Sequence, residues 1–247
     1  MEKSYKEEYV IKCFEVDAMK HLKAFAFMNM AQELGHIHST KMGCGYKDLI
    51  INDNVWIIYR AHVKFLSAPK WEDRVTLETW HKCNIGLFSI RDFEMCDMNG
   101  TPLIEATTSW LIMNMKTRHV QRTDHVLPVD KFAPLSFPEK NIIRETCPKI
   151  EIAEEATFVK TRVVGPSDVD YNLHLNNAKY LEWVMDCLDI ELLKSHAIDE
   201  FFINYESESQ IGDPIDLYTC KLSESEYYVD GRRAGKHLFK LTIKFKL

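Results

Sequence analysis

The sequence predicts an α+β chain made of two copies of one unit, each a long helix followed by a run of antiparallel strands. Three observations carry that expectation. The order strand, helix, strands occurs twice along the chain. Val16-Asp17-x-x-x-His21-Leu22 matches Val169-Asp170-x-x-x-His174-Leu175 at a constant spacing of 153 positions. Between the copies lies a weakly patterned stretch that holds Pro128, Pro134, Pro138 and Pro148. One long helix followed by a meander of long strands implies a sheet wrapped around that helix.

In chain order, Ser4 to Phe14 reads as a strand. Leu22 to Met42 has helical spacing at Leu22, Phe25, Met28 and Gln32. Four strands follow, at Val55 to Leu66, Arg74 to Lys82, Leu87 to Cys96 and Thr107 to Met115. They are rich in Val, Ile, Thr and aromatic residues, with turn chemistry at Ala68-Pro69 and Asn99-Gly100. The expected division is a first domain over 1–120, a linker over 121–150 draped on the surface, and a second domain over 151–247. The second copy then reads as a strand at Ala156 to Val164, a helix from Asn176 to Lys194, and strands at Phe201 to Ser209, Ile215 to Leu222 and Lys236 to Lys246. Trp71-Glu72-Asp73-Arg74-Val75 and Ile211-Gly212-Asp213-Pro214-Ile215 occupy the same place in each strand series.

Composition narrows the function classes. With 247 residues, 46% hydrophobic, the chain can bury a sizeable core, and a net charge of −6 argues against a nucleic-acid surface. The seven cysteines are odd in number, scattered and never spaced C-x-x-C, so they read as reduced thiols of a cytoplasmic protein. MEKSYKEEYVIKCFEVD has charges where a signal peptide needs an apolar core, and no run of 18 apolar residues occurs; no membrane association is expected.

The densest polar run is SDVDYNLHLNNAKYLEW, where two Asp, three Asn and one His fall within the ten residues Asp168 to Asn177, at the start of the second helix. Helix capping explains one or two such residues, each contributing about 1 kcal/mol. It does not explain six. If the segment is extended, Asp170, Asn172 and His174 point to one face. There a carboxylate can orient an imidazole or a water, an amide can hold a carbonyl oxygen, and the helix N-terminus can supply N–H donors to an oxyanion. The first copy has Asp17, Met19, His21, Lys23 and Ala24 where the second has Asp170, Asn172, His174, Asn176 and Asn177. It is expected to offer apolar surface at the equivalent place.

Other clusters carry less. His36-Ile37-His38 and His81-Lys82-Cys83 have metal-ligand residue types without third and fourth ligands at workable spacing, so no metal or other cofactor is expected. Gly43-Cys44-Gly45 lacks the preceding strand and third glycine of a dinucleotide site, and a helix C-cap explains it. Phe25, Phe27, Met28 and Met30 are most simply core, or the lining of an apolar pocket. Phe25 and Met28 continue the Leu22 stripe and are the favoured substrate-binding pair.

The polar run resembles the S-D-x-D-x-N-x-H-x-N-N-x-x-Y motif of the acyl-acyl carrier protein thioesterases of plant plastids and bacteria. Asn99-Gly100-Thr101-Pro102, Thr108 to Arg118, and Ile203 to Ser209 resemble further segments of that family, the last matching Y-x-x-E-C in plant members. The resemblance implies two fused hotdog domains, with Asp170, Asn172, His174 and Glu208 as catalytic residues. Ser209 stands where the plant enzymes have cysteine, which argues against an acyl-thiol intermediate and favours attack by water. Lacking a transit peptide and an apolar anchor, the chain resembles the bacterial branch.

The function so implied is hydrolysis of a fatty acyl thioester on acyl carrier protein, the partner that would deliver the substrate. The second domain would be catalytic, the first would hold the acyl chain, and a homodimer is compatible. Glu208 or His174 would activate water, Asn172 would hold the carbonyl or the water, and Asp170 would orient its neighbours. Two other readings stand beside it: an acyl-CoA thioesterase, since the fold serves both carriers, and a non-catalytic acyl-binding protein, which would need none of these four polar residues.

Overall fold

A computed structural model of the chain describes residues 2–143 and 146–247. The first half contains β1 (Ser4–Val10), α1 (Ala24–Lys41), the single turn α2 (Tyr46–Leu49), β2 (Asn54–Phe65), β3 (Arg74–Ile85), β4 (Phe88–Asp97) and β5 (Pro102–Asn114). A connecting region follows with β6 (Val120–Gln121), α3 (Thr123–Val126) and α4 (Val129–Phe132). The second half contains β7 (Thr157–Val163), α5 (Asn177–Met185), α6 (Ile190–Ser195), β8 (Ile198–Tyr205), β9 (Pro214–Lys221), β10 (Glu226–Arg233) and β11 (Lys236–Phe245).

The strands form one antiparallel sheet in the order β1-β3-β4-β5-β2-β8-β11-β10-β9-β7, with β6 added to β5. Read outward from its centre, each half repeats the same sequence of positions, which is the tandem repeat expressed as topology. The halves join where β2 pairs β8, with Ala61 opposite Ile203 and Val63 opposite Phe201. These four side chains are fully buried, so the seam between the copies is also the middle of a shared core. Helix α1 carries buried Ala24, Phe27, Met28, Ala31 and Leu34 and packs against both α5 and β3, while Asn29, Glu33 and His36 leave one face of it exposed.

Four expectations need correction. The strand foreseen to Phe14 ends at Val10, and Cys13–Glu15 form a 3-10 turn. The single helix from Asn176 to Lys194 is two helices, because Asp189 accepts from the Glu191 N–H at 2.8 Å and caps a new start at α6. β10, with Gly231 inside it, is not among the expected strands. Gly231 serves packing, for the Phe239 ring lies where a Cβ would project. The linker is not merely draped. Leu127 and Leu135 are buried with Met42, Cys44, Leu49 and Ile112 in a second small core, and Trp80 donates its indole N–H to the Lys140 carbonyl at 2.8 Å. Arg144 and Glu145 of that linker lie outside the described residues.

Among the described residues, no helix is long and apolar enough to cross a membrane.

Candidate active site

The polar run does not extend; it turns. The Asp170 carboxylate oxygen Oδ1 accepts from the backbone N–H groups of Asn172 at 2.8 Å and His174 at 3.3 Å. The Asp170 N–H donates to the His174 carbonyl at 2.8 Å, and Leu173 takes a left-handed φ of 64°. A carboxylate gathering N–H groups two and four residues ahead closes a tight loop, which an extended strand cannot do. The expectation of one shared face from alternation is therefore replaced by a loop whose apex presents Tyr171, Asn172 and Leu173.

The first copy folds the same way. Asp17 Oδ1 accepts from the N–H groups of Met19 at 2.8 Å and His21 at 2.9 Å, and Lys20 has φ 64°. Val16 pairs Leu22 just as Val169 pairs Leu175. The repeated Asp and His are thus the template of a loop, and Asp170 acts through the backbone it organises. What differs between the copies is the side chains set on that template. His21 pairs Lys70 and His174 pairs Gln210 in matching bridges, which puts Ala68 at the place of Glu208, as Met19 is at the place of Asn172.

Glu208 lies past the end of β8 rather than on it, because that strand stops at Tyr205. Its Oε2 is 3.6 Å from His174 Nε2 and receives the Arg118 guanidinium Nη2 at 2.6 Å. Arg118 closes the segment Thr108 to Arg118 that resembles the family, and nothing in the sequence marks it for a role. Ser209 is fully buried, and its carbonyl accepts from the Leu175 N–H at 2.8 Å. Below the loop, Asn176 caps α5 by accepting from the Ala178 N–H at 2.9 Å. Asn177 donates its side-chain amide to Gln32 of α1 at 3.2 Å.

Asp170, Asn172, Asn176 and Asn177 border a cavity of about 790 Å³. Its other walls come from α1, strands of the first half and the linker, through Thr123, Leu127, Phe132 and Ser136 among others. Along α1 it runs from Asn29 past Ser39 to Met42, about 20 Å at the helical rise. His174 and Glu208 do not border it. Neither does the pair expected to line the pocket: Met28 is 1% exposed within the core, and Phe25 lines a smaller cavity of about 320 Å³ instead. That smaller cavity also takes in Met19, His21 and Ala68, so it is the first copy's counterpart of the polar site.

The large cavity is not uniformly apolar. Arg91 borders it and donates from Nη1 to His38 Nδ1 at 2.9 Å and Thr79 Oγ1 at 3.1 Å. Burial, followed by the Arg91 charge, holds the imidazoles of His38 and His81 down at about 4. Both are neutral at pH 7. Burial pushes the Cys44 thiol, also in the wall, up to about 11, so it is no thiolate nucleophile. Among the described residues no group of three or more His, Cys, Asp or Glu side chains is arranged to hold a metal ion.

Comparison with known proteins gives consistent matches. The family model described as acyl-ACP thioesterase N-terminal domain matches residues 2–127, and that described as acyl-ACP thioesterase C-terminal domain matches 151–246. The oleoyl-acyl carrier protein thioesterase of Coriandrum sativum is 29% identical over 231 residues, covering 87% of this chain and 62% of its own. The oleoyl-acyl carrier protein thioesterase 2 of Arabidopsis thaliana is 29% identical over 238 residues, with 90% and 64% covered. The chain therefore spans just under two thirds of the length of these relatives. In fold, the 12:0-ACP thioesterase from Umbellularia californica superposes with a TM-score of 0.90 at 22% identity, covering all of this chain and 98% of that one. An acyl-ACP thioesterase from Bacteroides thetaiotaomicron gives 0.82 at 24% identity, with 99% and 98% covered. The sheet and helices are those of a tandem double hotdog.

Proposed function

The chain belongs to the acyl-ACP thioesterase family, and on that premise we propose that it hydrolyses the thioester between a fatty acyl chain and acyl carrier protein, releasing the free fatty acid. The observation that carries this reading is the position of Asn172. It stands at the edge of a cavity of about 790 Å³ built largely by the first half, on a loop of the second half that also carries His174, the neighbour of Glu208. In this reading the acyl chain lies along α1 and the thioester comes to rest at the loop.

Catalysis then follows from the groups at hand. The His174–Glu208 pair takes a proton from water as the water oxygen attacks the carbonyl carbon. Asn172 donates its amide N–H to the carbonyl oxygen as charge gathers there. Asn176 already occupies the Ala178 N–H with its side chain and the Lys179 N–H with its carbonyl, so Asn177 supplies the first-turn amide of α5 for that oxyanion. Collapse of the tetrahedral intermediate expels the phosphopantetheine thiolate, which is protonated by the imidazolium. Ser209, fully buried and away from the cavity wall, forms no ester. No cofactor enters these steps.

The test is a hydrolysis panel of acyl chains of graded length, each presented on acyl carrier protein and on coenzyme A. Faster turnover on the protein carrier supports the reading. A preference for coenzyme A would replace the carrier, and inertness toward both would overturn it.

A further inference from the structure

Building on the catalytic reading of His174 and Glu208, we propose that Arg118, from the first half, is a positioning residue that holds Glu208 against His174. The connection spans the two copies. Arg118 follows β5, in a turn where its N–H donates to the Asn114 carbonyl at 2.8 Å, the Asn114 N–H donates to the His119 carbonyl at 3.0 Å, and the Asn114 side chain accepts from the Thr117 N–H at 3.0 Å. These bonds fix Arg118 at a φ of 58°, a left-handed conformation that long side chains rarely adopt. Asn or Gly would suit that backbone better, so the turn spends its least comfortable position on an arginine.

The side chain reaches a single carboxylate oxygen. Arg118 Nη2 is 2.6 Å from Glu208 Oε2, and that same oxygen is the one 3.6 Å from His174 Nε2. The pair is half exposed on the arginine side, where an ion pair contributes little to folding. Its consequence is geometric. Glu208 sits on a short irregular segment between β8 and the Gln210 bridge, and without a partner its side chain has several rotamers open to it. Among the described residues, His174, Arg118 and Tyr180 are the ionisable groups that act on it. Only the cation can hold Oε2 in place whatever the protonation state of the imidazole. The first copy, with Ala68 at the matching place, has nothing to hold.

The test uses the full chain with Arg118→Ala and Arg118→Lys. Arg118→Ala is expected to lower kcat at least tenfold while KM for the acyl carrier stays within about twofold, with partial recovery in Arg118→Lys and on adding guanidinium to the alanine variant. A raised KM with unchanged kcat would overturn the proposal in favour of a carrier-docking role, and unchanged kinetics would overturn it outright. A readout without substrate separates this from the catalytic reading: the His174 imidazole nitrogen resonances of the free protein should move in Arg118→Ala. If the wild-type chain hydrolyses no thioester, the catalytic reading fails, and the resonances still decide whether Arg118 sets the pair. Unmoved resonances overturn it.

Discussion

The side-chain amide of Asn177, in the first turn of α5, donates to Gln32 in the middle of α1 across 3.2 Å, and both residues border the large cavity. One hydrogen bond thus ties the helix under the polar loop to the helix along which the cavity runs. Gln32→Ala and Asn177→Ala should each cost about 1 kcal/mol, with a coupling of about 0.5–1.5 kcal/mol in the double-mutant cycle by denaturant unfolding. Strict additivity would mean that the contact carries no energy.

Ser209→Ala should keep most of the activity, since the hydroxyl is buried and borders neither cavity. Mass spectrometry of the enzyme quenched during turnover is the check. An acyl ester on Ser209 would refute water attack.

Chain-length preference should respond to the wall of the large cavity and not to the apolar stripe of α1. Cys44→Ala should be nearly silent, whereas Cys44→Phe should shift the ranking toward shorter chains, each excluded methylene being worth about 1 kcal/mol. Met28→Ala should leave the ranking alone and destabilise the fold by about 3 kcal/mol, because Met28 is core. The opposite pattern in the acyl panel would place the acyl chain elsewhere.

Stability should fall as pH drops through the range from about 6.5 to about 4. His81 is held neutral by burial and the Arg91 charge down to about 4, so in that window the unfolded chain binds the proton more readily. The contribution is complete above the unfolded value and is lost toward the folded one, up to about 3 kcal/mol. Asp92, whose carboxyl burial raises to about 6, works in the opposite direction, favouring the fold at low pH. His81→Gln should therefore flatten the dependence of Tm on pH and Asp92→Asn should steepen it. No change in slope in either variant would contradict the assignment.

The repeat was readable because Asp17 and Asp170 must each fold the same loop, and a fold-determining pattern survives in the sequence of both copies. The six polar residues at the helix mouth pointed to the candidate site for a different reason, since of them only Asp170 and His174 recur in the first copy and loop-making leaves the rest unexplained. The conformation of the loop was not readable from residue alternation. A period of two implies a strand only when the backbone has no better partner, and here the Asp170 carboxylate offers one. Glu208 was reachable only through likeness to a family, since nothing local marks it. Arg118, 90 positions earlier, needed the fold to reveal it. The linker misled through its prolines, which signal irregular backbone but do not say that its own Leu127 and Leu135 are buried.

We assign hydrolysis to Asn172, which borders the first-half cavity, and to the neighbouring His174–Glu208 pair. The most direct measurement is single-turnover cleavage of acyl carrier protein thioesters by folded Asn172→Ala and His174→Ala variants, with circular dichroism confirming the fold. Both rates should fall about 100-fold or more, the scale of losing a positioned proton-transfer or oxyanion group, while His21→Ala, the counterpart in the first copy, stays near wild type. Near-normal cleavage by both second-copy variants, or a comparable loss in His21→Ala, would contradict the account.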